Sequence, residues 1–177
     1  PDIQLRFEQA ELAREILCAH GYVAIGLDHF AKPGDALAMA AKHGEVARNF
    51  QGYTTDNAAA LIGLGASAIG SFPQGYVQNI ANVPAYRDAI QSGRLPVARG
   101  VAVSDDDRIR RAVIERLMCD LRADLPAIAA RYNRPLTDFG EALANLAPMK
   151  DRGIVAEKDG VLTIAPDWRS ATRLVCA

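Results

Sequence analysis

The sequence predicts an α/β protein in which a helix-and-strand region precedes a mostly helical region ending in a hairpin. Three observations carry this. A helix pattern at residues 7–20 leads straight into a continuous apolar run of strand length, Tyr22-Val23-Ala24-Ile25-Gly26-Leu27. From Ser104 onward Ile109, Val113, Leu117 and Leu121 recur at spacing four, the repeat of one helix face. Close to the end, two short apolar runs flank Asp159-Gly160, the dipeptide of a two-residue hairpin turn.

In the first helix Leu12, Ile16 and Leu17 share one face, charged residues fill the rest, and Gly21 stands at the stop position. An apolar strand directly after such a helix is expected in a mainly parallel sheet covered on both sides. It ends in Asp28 and His29, and parallel sheets and barrels place their chemistry at such ends. Residues 34–47 add one helix, and residues 49–57 read as a polar, aromatic loop. Leu61-Ile62-Gly63-Leu64-Gly65-Ala66-Ser67-Ala68-Ile69 is a second apolar strand whose small residues admit another backbone or a ligand. A helix starts near Pro84, with Tyr86 and Ile90 on one face. Ser104 caps a helix whose first turn holds Asp105, Asp106 and Asp107, charges that suit the positive helix end. Pro126 opens or kinks the next helix. Thr137 is the expected cap of another helix, through Leu146, and Gly153 closes the last turn before the hairpin. Residues 167–175 form a final helix. Helices followed by a short hairpin predict a winged-helix-like module.

Composition narrows the function classes. Half of the 177 residues are hydrophobic, 23% are charged without long runs, and the net charge is -1. That suits a packed core and gives no sign of a general affinity for nucleic acid or acidic membranes. No apolar run reaches membrane-spanning length; residues 58–69 are too few and include two glycines. There is no signal peptide at Pro1, and because a native chain begins with Met a processed or trimmed chain is expected. Cys18, Cys119 and Cys176 are far apart, which argues against a disulfide framework and a metal site and fits a reducing cytoplasm. All three are expected to be buried or inert thiols.

Four features bear on chemistry. Asp28-His29 serves either as a proton-handling or ligand-facing pair or as a strand end whose carboxylate bonds loop amides and orients the imidazole. Asn49-Phe50-Gln51-Gly52-Tyr53-Thr54-Thr55 either lines a pocket or is an ordinary surface loop. The glycines at 63 and 65 lack the third glycine of a dinucleotide fingerprint and point instead to close packing in a barrel. Arg108, Arg110 and Arg111 on a winged helix would fit DNA. Residues 105–177, however, hold 12 basic and 12 acidic residues, which favours a solvated, ion-paired face.

Taken together, three blocks resemble the oxygen-independent coproporphyrinogen III oxidases. They are Gly26-Leu27-Asp28-His29-Phe30-Ala31-Lys32-Pro33, Arg48-Asn49-Phe50-Gln51-Gly52-Tyr53-Thr54-Thr55 and the glycine block ending at Ile69. Tyr76-Val77-Gln78-Asn79 and Ile109-Arg110-Arg111 continue the match, which covers nearly the whole chain. The first block also occurs, less completely, in haem chaperones of the same superfamily; the match beyond Arg108 favours the oxidase.

The resemblance implies a radical S-adenosylmethionine enzyme with a [4Fe–4S] cluster held by a C-x3-C-x2-C motif. Its 5′-deoxyadenosyl radical drives oxidative decarboxylation of two propionates of coproporphyrinogen III to vinyl groups, giving protoporphyrinogen IX in haem biosynthesis. It also implies an incomplete parallel β/α barrel followed by a helical carboxy-terminal domain. The domain reading is then residues 1–75 as the terminal part of that barrel, 76–103 as a connection and 104–177 as the helical domain with its hairpin. No C-x3-C-x2-C occurs here. The cluster ligands are expected before Pro1, and this chain alone is expected to be inactive, with no catalytic residue and no metal ligand of its own. Ile69 matches a position that packs against S-adenosylmethionine, with core packing as its alternative role. Asp28, His29, Tyr53, Tyr76, Gln78, Asn79, Arg110 and Arg111 match family blocks without an assigned contact. The expected partners are coproporphyrinogen III and an electron donor, without nucleic acid or membrane, for a cytoplasmic monomer.

Overall fold

The computed structural model describes residues 2–177 and divides the chain into two compact units. The first runs up to Asp56 and resumes from Ile109 to Ala177; the second is the intervening Asn57–Arg108. This differs from the expected division: the boundary at 75/76 would cut the strand Gly75–Asn79 after its first residue.

The first unit opens with α1 (Ile3–Ala19), which starts before the periodic pattern because the Asp2 carboxylate accepts from the Leu5 amide. Gly21, at φ +81°, follows its last turn. Next, β1 (Val23–Ile25) pairs with β2 (His29–Ala31) antiparallel, Ile25 opposite His29. The expected parallel strand is thus one arm of a tight hairpin. Gly26 at φ +52° reverses the chain just after Ile25, inside the apolar run. α2 (Ala36–His43) is capped by Asp35 and ends at Gly44. β3 (Ala47–Arg48) and β4 (Tyr53–Thr54) make a second short antiparallel pair around the expected loop. Ile25, Ala31, Ala38, Ala40, Val46 and Cys119 bury one another in a small core.

The second unit is a three-stranded antiparallel sheet, β5 (Ile69–Phe72), β6 (Gly75–Asn79) and β7 (Val97–Ala102), in the order β5–β6–β7. α3 (Val83–Gln91) lies between β6 and β7 in the chain, capped by Asn82, with Pro84 in its first turn. The apolar segment at 61–69 is strand only from Ile69. Before that, Leu61 bridges Ser71, and Gly65 at φ +106° and Ser67 at φ +61° turn the chain.

α4 (Asp105–Asp120) begins on a reciprocal cap: Ser104 Oγ accepts from the Asp107 amide, and the Asp107 carboxylate accepts from the Ser104 amide and hydroxyl. In the first unit it leads to β8 (Arg122–Asp124), a strand hidden in sequence because it is only three residues long. α5 (Leu125–Arg131) follows, with Asp124 as cap and Pro126 in the first turn. A 3₁₀ turn (Leu136–Phe139) then precedes α6 (Gly140–Asn145) and α7 (Ala147–Asp151). Thr137 lies inside that turn and caps nothing, which corrects the expected cap. β9 (Val155–Lys158) and β10 (Val161–Ile164) form the hairpin, with Asp159 and Gly160 both at positive φ. β10 is central in the order β8–β10–β9. The expected final helix is a 3₁₀ segment (Pro166–Ala171) that continues into α8 (Thr172–Val175). Ile109, Leu117, Leu125, Val155, Leu162 and Ile164 are central to this core.

Among the described residues no helix is long and apolar enough to cross a membrane. Cys119 is buried and Cys176 half-buried, but Cys18 is exposed, so burial accounts for only two of the three thiols.

Candidate functional site

The first unit gathers Asp28, His29 and Tyr53 at the β1–β2 turn. The Tyr53 hydroxyl donates to the Met118 carbonyl (2.9 Å) and accepts from the Leu27 amide (2.8 Å). That places its ring against Gly26, where a Cβ would lie 2.1 Å from Tyr53 Cζ, so glycine is required twice, for φ and for space. His29 meets the Tyr53 ring edge-on, centroids 4.8 Å apart and planes at 80°. Its Nδ1 is 2.9 Å from Asp28 Oδ1, and Gly52 leaves room at Nε2, where a Cβ would approach to 2.9 Å. The Arg48 guanidinium lies 5.5 Å from the Tyr53 centroid. Burial pushes the Tyr53 phenol above its ordinary value, although the Leu27 amide and Arg48 oppose this. Tyr53 is therefore a neutral hydrogen-bonding node, and Asp28 and Tyr53 orient the imidazole.

The carboxy-terminal segment closes on the same turn. Arg169 Nη1 donates to the Gly26 carbonyl at 2.5 Å, and Arg173 lies 3.9 Å from the Asp28 carboxylate. No spacing rule exposes a contact across 143 residues. Beside it is a cleft of about 580 Å³ whose charged walls are Arg116, Arg122, Arg131 and Arg169 with Asp120 and Asp124. Much of that charge is already engaged. Arg116 pairs with Asp120 (2.7 Å) and donates to the Gly44 and Val46 carbonyls, and Arg122 faces Asp124 at 3.5 Å. Arg110 and Arg111 are exposed on α4.

In the second unit Ile69, Tyr76, Gln78 and Asn79 fall on the β5–β6 pair. Half-buried Ile69 opens β5 and stands opposite Gln78. Gln78 binds both sides of its strand: Nε2 donates to the Ser67 carbonyl (3.2 Å), and Oε1 accepts from Arg99 Nε (2.8 Å). Asn79 is buried, and its Nδ2 donates to the carbonyls of Gly63 and Gly65, both at 3.0 Å. The Gly65 amide donates to the Tyr86 hydroxyl at 3.1 Å. The two glycines therefore shape a bonded loop directly before Ile69. Sequence reasoning picked out Ile69 but missed Tyr86 and Arg99, which reach the loop and β6 from α3 and β7.

Among the described residues no group of three potential metal ligands comes together. Cys119 and Cys176 do not suit a cluster either. Desolvation pushes the Cys119 thiol up to about 12 and Cys176 up to about 11, opposite to the thiolate that iron requires. Next to Ile69, by contrast, the loop is uncharged, with Gly65, Ala66 and Ala68 half-buried and Leu64 exposed, a surface suited to an apolar contact with a ligand.

No family model matches the chain. Among solved structures the chain is similar to one described as a radical S-adenosylmethionine enzyme. The Escherichia coli structure titled "Coproporphyrinogen III oxidase (HemN) from Escherichia coli is a Radical SAM enzyme" matches with a TM-score of 0.91 and 35% identity, over 99% of this chain and 41% of that one. The chain is 44% identical over its whole length to the oxygen-independent coproporphyrinogen III oxidase of Bradyrhizobium diazoefficiens, of which it covers 39%. To that of Salmonella typhimurium it is 34% identical over 99% of its length, again covering 39% of the relative. It is thus similar throughout to the carboxy-terminal part of the oxygen-independent coproporphyrinogen III oxidases, and spans about two fifths of their length.

Proposed function

We propose that this chain is the carboxy-terminal portion of an enzyme that oxidatively decarboxylates two propionates of coproporphyrinogen III to vinyl groups, giving protoporphyrinogen IX. The observation that carries this is the 44% identity along the full chain together with a TM-score of 0.91 to a structure whose title names that activity. A [4Fe–4S] cluster and S-adenosylmethionine supply the radical chemistry in the complete protein. The cysteines of this chain are dispersed, and burial holds the proton on Cys119 and Cys176, so they do not serve the cluster. Ile69 supplies an aliphatic contact to S-adenosylmethionine, and the Asp28–His29–Tyr53 group holds the β1 turn in shape.

The finer architecture follows the same reading. Residues 1–75 are the terminal part of an incomplete β/α barrel whose parallel strands are supplied by the longer protein, since the pairings β1–β2, β3–β4 and β5–β6 are antiparallel, and residues 76–103 connect it to the helical domain. The succession α4, β8, α5, α6 and a β9–β10 hairpin, with β10 central, supports a winged-helix-like module. The protein is a cytoplasmic monomer that takes electrons from a separate donor, in keeping with three unpaired cysteines.

The test uses the full-length protein, reconstituted with iron and sulfide under anaerobic conditions and given reductant, S-adenosylmethionine and coproporphyrinogen III. Two molecules of carbon dioxide released per protoporphyrinogen formed is the expected result. Haem transfer to an acceptor protein without decarboxylation would overturn the oxidase reading in favour of a chaperone. The chain alone, treated identically, is expected to stay colourless and inactive; a stable brown protein with stoichiometric [4Fe–4S] content would contradict the assignment of the cluster to other residues.

A further inference from the structure

We propose that Asn79 is a positioning residue for the cofactor contact: its buried carboxamide clamps the glycine loop and so fixes Ile69 at the start of β5. This rests on the reading of Ile69 as a contact to S-adenosylmethionine. Asn79 ends β6, where the pairing with β7 is irregular between Gln78 and Asn79. It is only 8% exposed, an unusual placement for a polar side chain in a unit so short of buried apolar residues.

Three of its bonds converge on the approach to Ile69. The two amide hydrogens of Nδ2 reach the Gly63 and Gly65 carbonyls, and the backbone amide donates to the Ala68 carbonyl at 2.9 Å. Gly63 in turn presses on the peptide joining Ala68 to Ile69; a Cβ there would lie 2.8 Å from the Ile69 carbonyl carbon. Side-chain bonds to Gly63 and Gly65 are therefore passed on as the placement of the Ile69 backbone. Tyr86 holds the same loop from α3 through the Gly65 amide.

A carboxamide meets this demand, because two carbonyls need two donors from one small group. Aspartate has the same shape but offers only acceptors when ionised, so it would face both carbonyls with like charge. Shape alone therefore does not satisfy the site, and Asn79→Asp separates hydrogen bonding from packing.

The experiment titrates S-adenosylmethionine into reconstituted full-length protein and records melting in parallel, for Asn79→Asp, Ile69→Ala and the double variant. Ile69→Ala is expected to weaken cofactor binding roughly 5- to 150-fold, the range for losing a buried aliphatic contact. Asn79→Asp is expected to weaken it about tenfold, with the KM for the porphyrinogen unchanged. Because both act through one contact, the double variant should bind about as weakly as the weaker single variant.

Should Asn79→Asp fail to fold, Tyr86→Phe carries the test, with a few-fold loss expected from one missing bond. Normal cofactor affinity in a less stable Asn79→Asp or Tyr86→Phe protein would make the clamp purely structural and overturn the inference. Fully additive losses in the double variant would do the same. Normal cofactor affinity in Ile69→Ala would instead remove the Ile69 assignment itself. Gly160→Val, in the first unit, serves as the control, since it lowers stability without touching the loop.

Discussion

The two units are held together by different physics. In the first, Ile25, Ile109, Leu125 and Ile164 are at most 2% exposed and sit in two aliphatic clusters. In the second, the buried positions among the described residues are Gly70, Gly75, Asn79, Ala89 and Pro96, with no large aliphatic side chain. Leu64, Leu95 and Val101 are 86%, 85% and 68% exposed. The first unit is thus shaped by burial, which tolerates exchange of one aliphatic group for another of similar size. The second is shaped by a strand ladder, close glycines and side-chain amides, where the loss of one donor has no substitute.

The largest expected effect tests the first half of this contrast. Ile164→Ala should lower unfolding stability by about 2–5 kcal/mol, the range for truncating a packed aliphatic core residue. Val101→Ala in the second unit should fall within about 0.5 kcal/mol. Denaturant unfolding of the chain measures both, and equal costs would break the comparison.

A smaller effect is expected at the hairpin turn. Gly160 sits at φ +76°, and a Cβ there would come within 3.0 Å of the Pro126 ring, so Gly160→Val should cost roughly 1–3 kcal/mol. An unchanged unfolding midpoint would mean that the turn relaxes freely.

Alkaline pH sharpens the contrast, because both shifted thiols belong to the first unit. Burial raises Cys119 to about 12 and Cys176 to about 11, above the ordinary 9.0 they regain on unfolding. Between these values the native state binds more protons than the unfolded one, so stability is complete below about pH 9 and falls as pH rises towards 11–12. Replacing Cys119 with alanine should make that fall less steep, read as the unfolding midpoint against pH; an identical slope would contradict the assignment. A small effect is expected for Arg173→Ala. Its contact with Asp28 spans 3.9 Å between exposed groups, and such pairs are worth about 0–1 kcal/mol. A melting shift beyond that would show the tail to be anchored there.

Sequence pattern revealed what depends on neighbours a few residues apart. The α1 stop, the Ser104 cap, Pro126 and the Asp159-Gly160 turn are all local chemistry, and all stand where the residues put them. The expected parallel strand is a hairpin arm because Gly26, inside an apolar run where glycine suggests packing, turns the chain back through its positive φ. The segment at 61–69 departs from the expected strand for the same reason, through Gly65 and Ser67. β8 was too short to show a period. Of the candidate site, Ile69 and the block residues could be singled out. The bonds that organise them, Arg169 to Gly26 and Asn79 to Gly63 and Gly65, span too much chain for any spacing rule.

The bond from Arg169 to the Gly26 carbonyl bears on how the protein is made. Residues 57–108 form a compact unit from one continuous stretch, so they can fold once that stretch has left the ribosome. The hairpin at Gly26 is synthesised earlier yet finishes later, because Met118, Glu115 and Arg169, which bond to its surroundings, do not yet exist. The nascent chain therefore carries an unfinished hairpin ahead of a folded second unit. Emergence of the segment that holds Arg169 is expected to complete the first unit in one late step, and a stalled chain ending before Arg169 should expose Tyr53 and Ile25 to a protease that a chain including Arg169 resists.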